Sequence, residues 1–262
     1  MDTYFRTCVY ILSALFGLCV GSFLNVVIYR LPAGIKMTND RSACPNCKGA
    51  IAWYDNIPLI SYIILGGKCR HCKCRISLQY PIIEALNMIL WLLTVIIFSD
   101  NLVYALLLCI CISVCICVFM IDLKHYIIYD RFHIIIIACG IASIFFDGFA
   151  KWYSHIIAAV LGFLLFLLVG WLVSKRAGKE ALGMGDVKFA FAMGIFLGYE
   201  KFLLAIIIAS VVGMIVMLTA KHRKNLDDNH EFPFGPFLAL GFVFSALFGN
   251  SIINTYLSLL GL

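Results

Sequence analysis

Two kinds of residue in this 262-residue sequence have types and spacing suited to chemistry. The first are acids at the edges of apolar runs. Asp122 directly follows the run 102–121, in F-M-I-D-L-K-H-Y, and Asp186 lies in G-M-G-D-V-K, just before the run 187–197. Charges in or beside membrane-length apolar segments are costly and usually functional. Two carboxylates close together in a low-dielectric site cannot both ionise cheaply, so they share a proton and titrate as a pair. One can then activate water as general base while the other donates to a peptide carbonyl. Gly183 and Gly185 have no Cβ, so the backbone there can approach an extended peptide. A lone Asp in either place reads equally well as a helix cap or as the partner of Lys124 or Lys188. The matched placement of two acids favours the dyad.

The second kind is cysteine, of which there are 12. Cys8, Cys19, Cys109, Cys111, Cys115, Cys117 and Cys139 lie within apolar runs, where they read as small fillers. Cys44, Cys47, Cys69 and Cys72 form C-P-N-C and C-R-H-C, two C-x2-C turns of the kind that aim four thiolates at one tetrahedral zinc ion. His71 or Cys74 could substitute as a ligand. Disulfides are the competing reading and require an oxidising compartment. The polar segment that carries these cysteines is too small for a proper core, so metal binding should be coupled to its folding.

These groups must be positioned by elements that the composition defines. Hydrophobic residues make up 63% and charged residues 13%, against about 45–50% and about 25% in soluble domains. That excludes a soluble globule, a disordered chain and a coiled coil. A bilayer-spanning helix needs roughly 20 mostly apolar residues. Candidates lie near 7–28, 82–98, 102–121, 133–146, 156–173, 187–197, 202–218 and 234–248. The expected fold is an all-α polytopic membrane protein of about eight transmembrane helices. A small cytosolic zinc-ribbon-like domain sits between helices 1 and 2. The division is 1–30 for the first helix, 31–80 for the cysteine domain and 81–262 for the remaining membrane part. The N-terminus lacks the basic start and small-residue cleavage site of a secretory signal.

With the N-terminus outside, all of the 20 basic residues except Arg6, Lys151 and Lys201 fall on the inner side, as the positive-inside rule requires. The net charge of +6 then reflects topology and attraction to anionic lipid, with no need for nucleic acid. The same alternation puts Asp122 and Asp186 at inner helix ends. Asp130 reads as a helix N-cap. Glu84 reads as an ion-pair partner or a ligand contact. Pro233, Gly235 and Pro236 break the chain at the inner edge of the last span, where they would start a helix or shape a substrate groove. The charged stretch 221–231 reads as a solvated connection.

The chain resembles type IV prepilin peptidases, the bifunctional leader peptidase/N-methyltransferases of pilus and type II secretion systems. The matching segments are G-S-F-L-N-V-V-I-Y-R-L-P (21–32), the cysteine tetrad, W-Y-D-N-I-P-L-I-S-Y (53–62), G-G-K-C-R-H-C (66–72), I-S-L-Q-Y-P-I-I-E (76–84), I-D-L (121–123), G-M-G-D (183–186) and P-F-G-P-F (233–237). One departure is Tyr129–Asp130, where the family usually has Pro-Asp. The resemblance implies a GxGD-type intramembrane aspartic peptidase with Asp122 and Asp186 as its catalytic pair, supported by Gly183, Gly185 and Lys188. It implies type IV prepilin or pseudopilin substrates, cleaved after a Gly on the cytosolic face of the inner membrane, and then S-adenosylmethionine-dependent methylation of the new N-terminal residue, often Phe. No glycine-rich nucleotide loop is present, so spacing does not locate the methyl donor. Asn25, Arg30 and Glu84 are polar groups near the inner face that could contact it. Two other classes compete: an ion-coupled transporter using intramembrane Asp residues, and a membrane-anchored zinc ribbon that only recruits partners. The transporter would require an inverted repeat and mid-membrane acids; the zinc ribbon leaves Asp122 and Asp186 unexplained.

Overall fold

In lipid a backbone can satisfy its hydrogen bonds only within helices or closed barrels, and the apolar runs here are helical throughout. The computed structural model describes residues 3–37, 42–146, 149, 151–177, 182–224 and 233–261. Its helices are α1 (Thr3–Arg30), α2 (Ile60–Ile64), α3 (Gln79–Ile97), α4 (Leu102–His125), α5 (Asp130–Phe146), α6 (Trp152–Ala177), α7 (Met184–Lys224) and α8 (Gly235–Leu259). Among the described residues there is no strand, only the isolated bridges Ala43↔Ala50 and Lys68↔Arg75. The stretch expected as a charged loop continues α7 through Lys224; residues 225–231 lie outside the described part.

The protein is an all-α, multi-pass membrane protein. Six of the described helices are long and apolar enough to cross a bilayer, against about eight expected from the sequence. The difference has two causes. Helix α5 has 17 residues, just short of a full span. The sixth and seventh expected spans are the two arms of α7, interrupted at Gly198 by φ 72° and ψ 171°. Only glycine adopts that combination readily. The freed N–H of Tyr199 is recovered by Ser154 Oγ at 3.0 Å.

By contacts the chain divides into two units, 1–105 and 106–262. In the first, α3 packs along α1, so the second long helix belongs with the first and with the cysteine segment. A Cβ at Gly17 or Gly21 would come within 2.9 or 2.8 Å of the α3 backbone at Met88 or Glu84. Asn87 Nδ2 donates to Gly17 O at 2.7 Å. Small residues that let backbones approach, joined by a buried amide, are the usual means of helix association in lipid. In the second unit α7 is the hub, with α5, α6 and α8 each packed against it. Gly194 of α7 rests directly on Ala159 of α6, and Gly241 of α8 on Ala205 of α7. Helix α4 is buried on nearly every side, and Cys109, Cys111, Cys115 and Cys117 fill it as small apolar groups. Cys139 is also buried, whereas Cys8 and Cys19 are exposed.

The cysteine segment is pinned by an ion pair that the sequence did not announce. A turn of 3₁₀ helix at Trp53–Asn56 carries Asp55, whose carboxylate takes Arg70 Nε at 2.8 Å and Nη2 at 2.6 Å. The same guanidinium lies over the Tyr54 ring at 5.5 Å. The bidentate geometry holds the Asp55 carboxyl below its usual range, chiefly through the Arg70 hydrogen bonds. A carboxyl depressed in the folded state stabilises at neutral pH and loses that contribution as pH falls through its folded pKa. Replacing Asp55 with Asn should therefore lower the stability of 42–75 at pH 7 and lose its effect in acid, as read by limited proteolysis at several pH values. In the helical bundle, Gly194→Leu should lower the detergent-phase melting temperature by about 5 °C or more. An unchanged melting curve would mean that the α6–α7 contact is not tight.

Candidate active site and metal centre

Four chain segments of the second unit meet at one place. Helix α4 ends after His125 because Tyr126 turns into the left-handed region at φ 58°. The Tyr126 N–H closes onto the Asp122 carbonyl at 3.0 Å, a left-handed C-cap. This fixes Asp122 in the last turn of α4, where it is 5% exposed. Asp186 lies in the first turn of α7, its N–H bonded to Gly183 O at 3.0 Å. Both acids border Ile128, Asp186 through its neighbour Gly185 and Asp122 through Gly235. Asp186 Oδ1 is buried and has no hydrogen-bond partner among the described residues. A buried carboxylate oxygen left unbonded is expensive and marks a place for water or a substrate group.

The third segment is the start of α8. Pro236 occupies its first turn, where the missing N–H costs nothing. Gly235, at the helix start, stands against the Asp122 carboxylate: a Cβ there would be 2.5 Å from Asp122 Oδ2. The stretch 233–236 therefore does more than begin a helix: it brings bare backbone against Asp122. The fourth segment is the α4–α5 loop. Ile128 lies against both Gly185 and Gly235, within 3.3 and 2.9 Å of where their Cβ atoms would be. Gly183 is equally bare, with Asp186 Oδ2 3.7 Å from its Cβ position.

Lys188 does not pair with either of these acids. Its Nζ donates to Asp130 Oδ1 at 2.8 Å, tying the first turn of α5 to that of α7. Both side chains are largely exposed, so the pair adds alignment more than stability. Asp130 thus serves as an ion-pair partner. The sequence reading missed His133. It is 4% exposed, 3.5 Å from Asp130 and packed against Phe189. The available signal was its position one turn after Asp130.

In the first unit, the sulfurs of Cys44, Cys47, Cys69 and Cys72 lie within 4.8 Å of one another and could hold a metal ion. A tetrahedral site with bonds of about 2.3 Å needs sulfurs about 3.8 Å apart, and Cys44 and Cys72 are separated by 3.8 Å. The two turns repeat each other. Cys44 N–H bonds Gly49 O at 3.0 Å, and Cys69 N–H bonds Cys74 O at 2.8 Å. Lys48 and Lys73, each just after the second cysteine, both have φ 57°. Cys74 occupies the place of Gly49 and puts a fifth sulfur 3.6 Å from Cys44. The Cys74 backbone N–H and thiol pull the Cys72 thiol down to about 5, into the thiolate form a metal requires. Hydrogen bonds to Cys72 and Cys44 push Cys74 up to about 12, which makes it a donor to the tetrad.

Of the three polar residues suggested for the methyl donor, two are buried along the α1–α3 seam. Asn25 Nδ2 donates to Tyr80 O at 3.1 Å, one turn of α3 before Glu84, and Glu84 Oε2 accepts the Leu59 N–H at 2.8 Å. Arg30 is engaged elsewhere, with Nη1 3.3 Å from the carbonyls of Lys36 and Met37.

Comparison with known proteins agrees with this layout. The Bacterial Peptidase A24 N-terminal domain matches residues 15–98, and the Type IV leader peptidase family matches residues 109–218. Three relatives carry the name prepilin leader peptidase/N-methyltransferase. The one from Pseudomonas aeruginosa is 31% identical, over 95% of this chain and 93% of its own length. That of Burkholderia pseudomallei strain 1026b is 33% identical, over 89% and 84%. That of Pectobacterium carotovorum is 32% identical, over 88% and 90%. No solved structure matches.

The tetrad yields its own test. Cys69→Ser should lose most of the bound metal measured by elemental analysis of the purified protein, because three thiolates leave the shell open. Cys74→Ser should keep it. Equal metal content in both variants would mean that the four sulfurs are not the ligand set.

Proposed function

Because the chain belongs to the type IV leader peptidase family, we propose that Asp122 and Asp186 are the catalytic pair of a membrane-embedded peptidase. The protein removes the leader of type IV prepilins or pseudopilins after a Gly, and then methylates the newly exposed N-terminal residue. The observation that carries the peptidase reading is the meeting of two acids from opposite ends of helices beside Ile128, with Asp186 Oδ1 buried and lacking a partner among the described residues. A transporter reading has no comparable support.

In this mechanism one carboxylate takes a proton from water while the other, protonated, donates to the scissile carbonyl. The resulting tetrahedral carbon collapses when the leaving amine takes a proton from the dyad. Bare backbone at Gly235 lets the Asp122 carboxylate sit where it does. The bare backbone at Gly183 and Gly185 gives an extended peptide room beside Asp186, and Lys188 holds α7 to α5 through Asp130. The stretch containing Pro233, Gly235 and Pro236 walls the substrate groove next to Asp122. Positive-inside charge supports a site at the cytosolic face of the inner membrane, the side on which a basic leader would arrive.

Cys44, Cys47, Cys69 and Cys72 hold a structural zinc ion. An all-sulfur donor set with no open position suits folding and not catalysis. By function the chain reads as a first helix at 1–30 and a zinc-binding segment at 31–80, with α3 joined to them, and a peptidase part within 106–262. S-adenosylmethionine, when bound, supplies an electrophilic methyl group. Asn25 and Glu84 are the residues offered to that second reaction, without Arg30.

Asp122→Asn and Asp186→Asn should each reduce leader removal by at least about 10³-fold, while both variants still methylate a substrate supplied already cleaved. Mass spectrometry reads the first outcome on a co-expressed prepilin and the second on a supplied, already cleaved one. Cleavage by either variant at the rate of the unaltered protein would refute the dyad. Gly235→Val should cost about tenfold or more in kcat by pushing the Asp122 carboxylate aside, measured by single-turnover cleavage. An unaltered kcat would remove Gly235 from the account.

A further inference from the structure

We infer that Asn25 and Glu84 form a site for a protonated α-amino group, and that the cleaved substrate docks its new N-terminus there for methylation. The inference rests on the methyltransferase reading above and gives that reaction a substrate-binding residue pair. Asn25 on α1 is 3% exposed and Glu84 on α3 is 7% exposed. The amide of Asn25 is oriented by its donors: Nδ2 bonds Tyr80 O at 3.1 Å and Gly21 O at 3.4 Å. Both N–H bonds are thereby used, and Oδ1 is the atom left over. It is buried and has no partner among the described residues.

Glu84 is held just as firmly. Its Oε2 accepts the Leu59 N–H at 2.8 Å. Leu59 has φ 57°, a left-handed conformation that costs a branched residue energy and persists only where the surroundings enforce it. Gly21 makes room for α3, since a Cβ there would stand 2.8 Å from Glu84 Cα. Among the described residues no Lys or Arg pairs with Glu84.

The unused function of Asn25 is an acceptor, Glu84 is an acid, and among the described residues neither meets a cation. Such a pair recruits a cationic donor. A phosphate, a carboxylate or the edge of an adenine that needs a donor would be repelled or left unpaired. A primary ammonium satisfies both groups. Its pKa in a free N-terminus is about 7.7–8.0, so it arrives largely protonated at neutral pH and cannot attack a methyl group in that form. The Glu84 carboxylate takes one proton. The amine lone pair then forms the N–C bond as the methyl–sulfur bond breaks, its electron pair stays on sulfur, and the products are a methylated ammonium and a thioether. The methyl donor carries an α-ammonium of its own, so the test must separate the two sources.

The test uses the full-length protein in detergent and three probes: an apolar peptide with a free N-terminal Phe, the same peptide N-acetylated, and S-adenosylhomocysteine. The unaltered protein should bind the free-amine peptide at least about tenfold more tightly than the acetylated one, the size expected for a buried hydrogen bond to a charge. Glu84→Gln and Asn25→Leu should each erase that preference. The acetylated peptide and S-adenosylhomocysteine should bind them as before, and retained metal would show that the first unit is folded. No preference for the free amine in the unaltered protein overturns the inference without any variant. Weakened S-adenosylhomocysteine binding with an intact amine preference would assign the site to the methyl donor and overturn the peptide assignment. Absence of the methyl mass on a co-expressed, cleaved prepilin would sink the methyltransferase reading itself, and the amine preference would still decide the site.

Discussion

Like charges repel more strongly as the dielectric falls, and the second unit of this protein is organised around two acids placed where that repulsion acts. Asp122 and Asp186 come from the last turn of one helix and the first turn of another, so neither needs a break in a membrane-spanning helix. Everything nearby serves to hold them. The left-handed turn at Tyr126 fixes the end of α4. The entry to α8 at Gly235 and Pro236 sets bare backbone against Asp122. The Lys188–Asp130 pair ties α7 to α5. In the proposed mechanism a shared proton lets the two carboxylates remain side by side, and that proton is the one the reaction uses.

A different constraint shapes the first unit. A membrane cannot help a short polar segment to fold, and 42–75 is too small to build a core. Two matching cysteine turns, an Asp55–Arg70 fork and the stacking of that guanidinium on Tyr54 replace the core. Below the segment, the seam of α1 and α3 is tight enough for Gly17 and Gly21 to touch the opposite backbone. A seam that close has little space for side chains. The few polar groups inside it, Asn25, Glu84 and Asn87, are correspondingly well oriented.

The parts of this architecture legible in the sequence were those set by local pattern. Apolar run length gave the helices, and the C-x2-C spacing gave the four sulfurs that gather within 4.8 Å. Placement of Asp122 and Asp186 at the edges of such runs gave their location at helix ends. What pattern could not give was tertiary. Periodicity does not reveal that two apolar runs form one helix hinged at Gly198, because hydropathy ignores φ. Nor does it tell Lys188 to choose Asp130 over the nearer Asp186, or send Arg30 to backbone carbonyls. His133 was only faintly legible: its place one turn after Asp130 was a signal, but its packing against Phe189 was not in the pattern. The Gly235 contact with Asp122 was half legible, as a helix start whose extra task depends on what the helix abuts.

The account depends on both carboxylates acting on one tetrahedral carbon. Affinity for a prepilin-derived peptide whose scissile amide is replaced by a hydroxyethylene group measures that directly, since its hydroxyl occupies the position of the attacking water. The protein should bind this analogue about 10²-fold or more tightly than the matching substrate, and Asp122→Asn and Asp186→Asn should each abolish the advantage. Equal affinity of the unaltered protein and both variants would show that the two acids do not share a reacting atom.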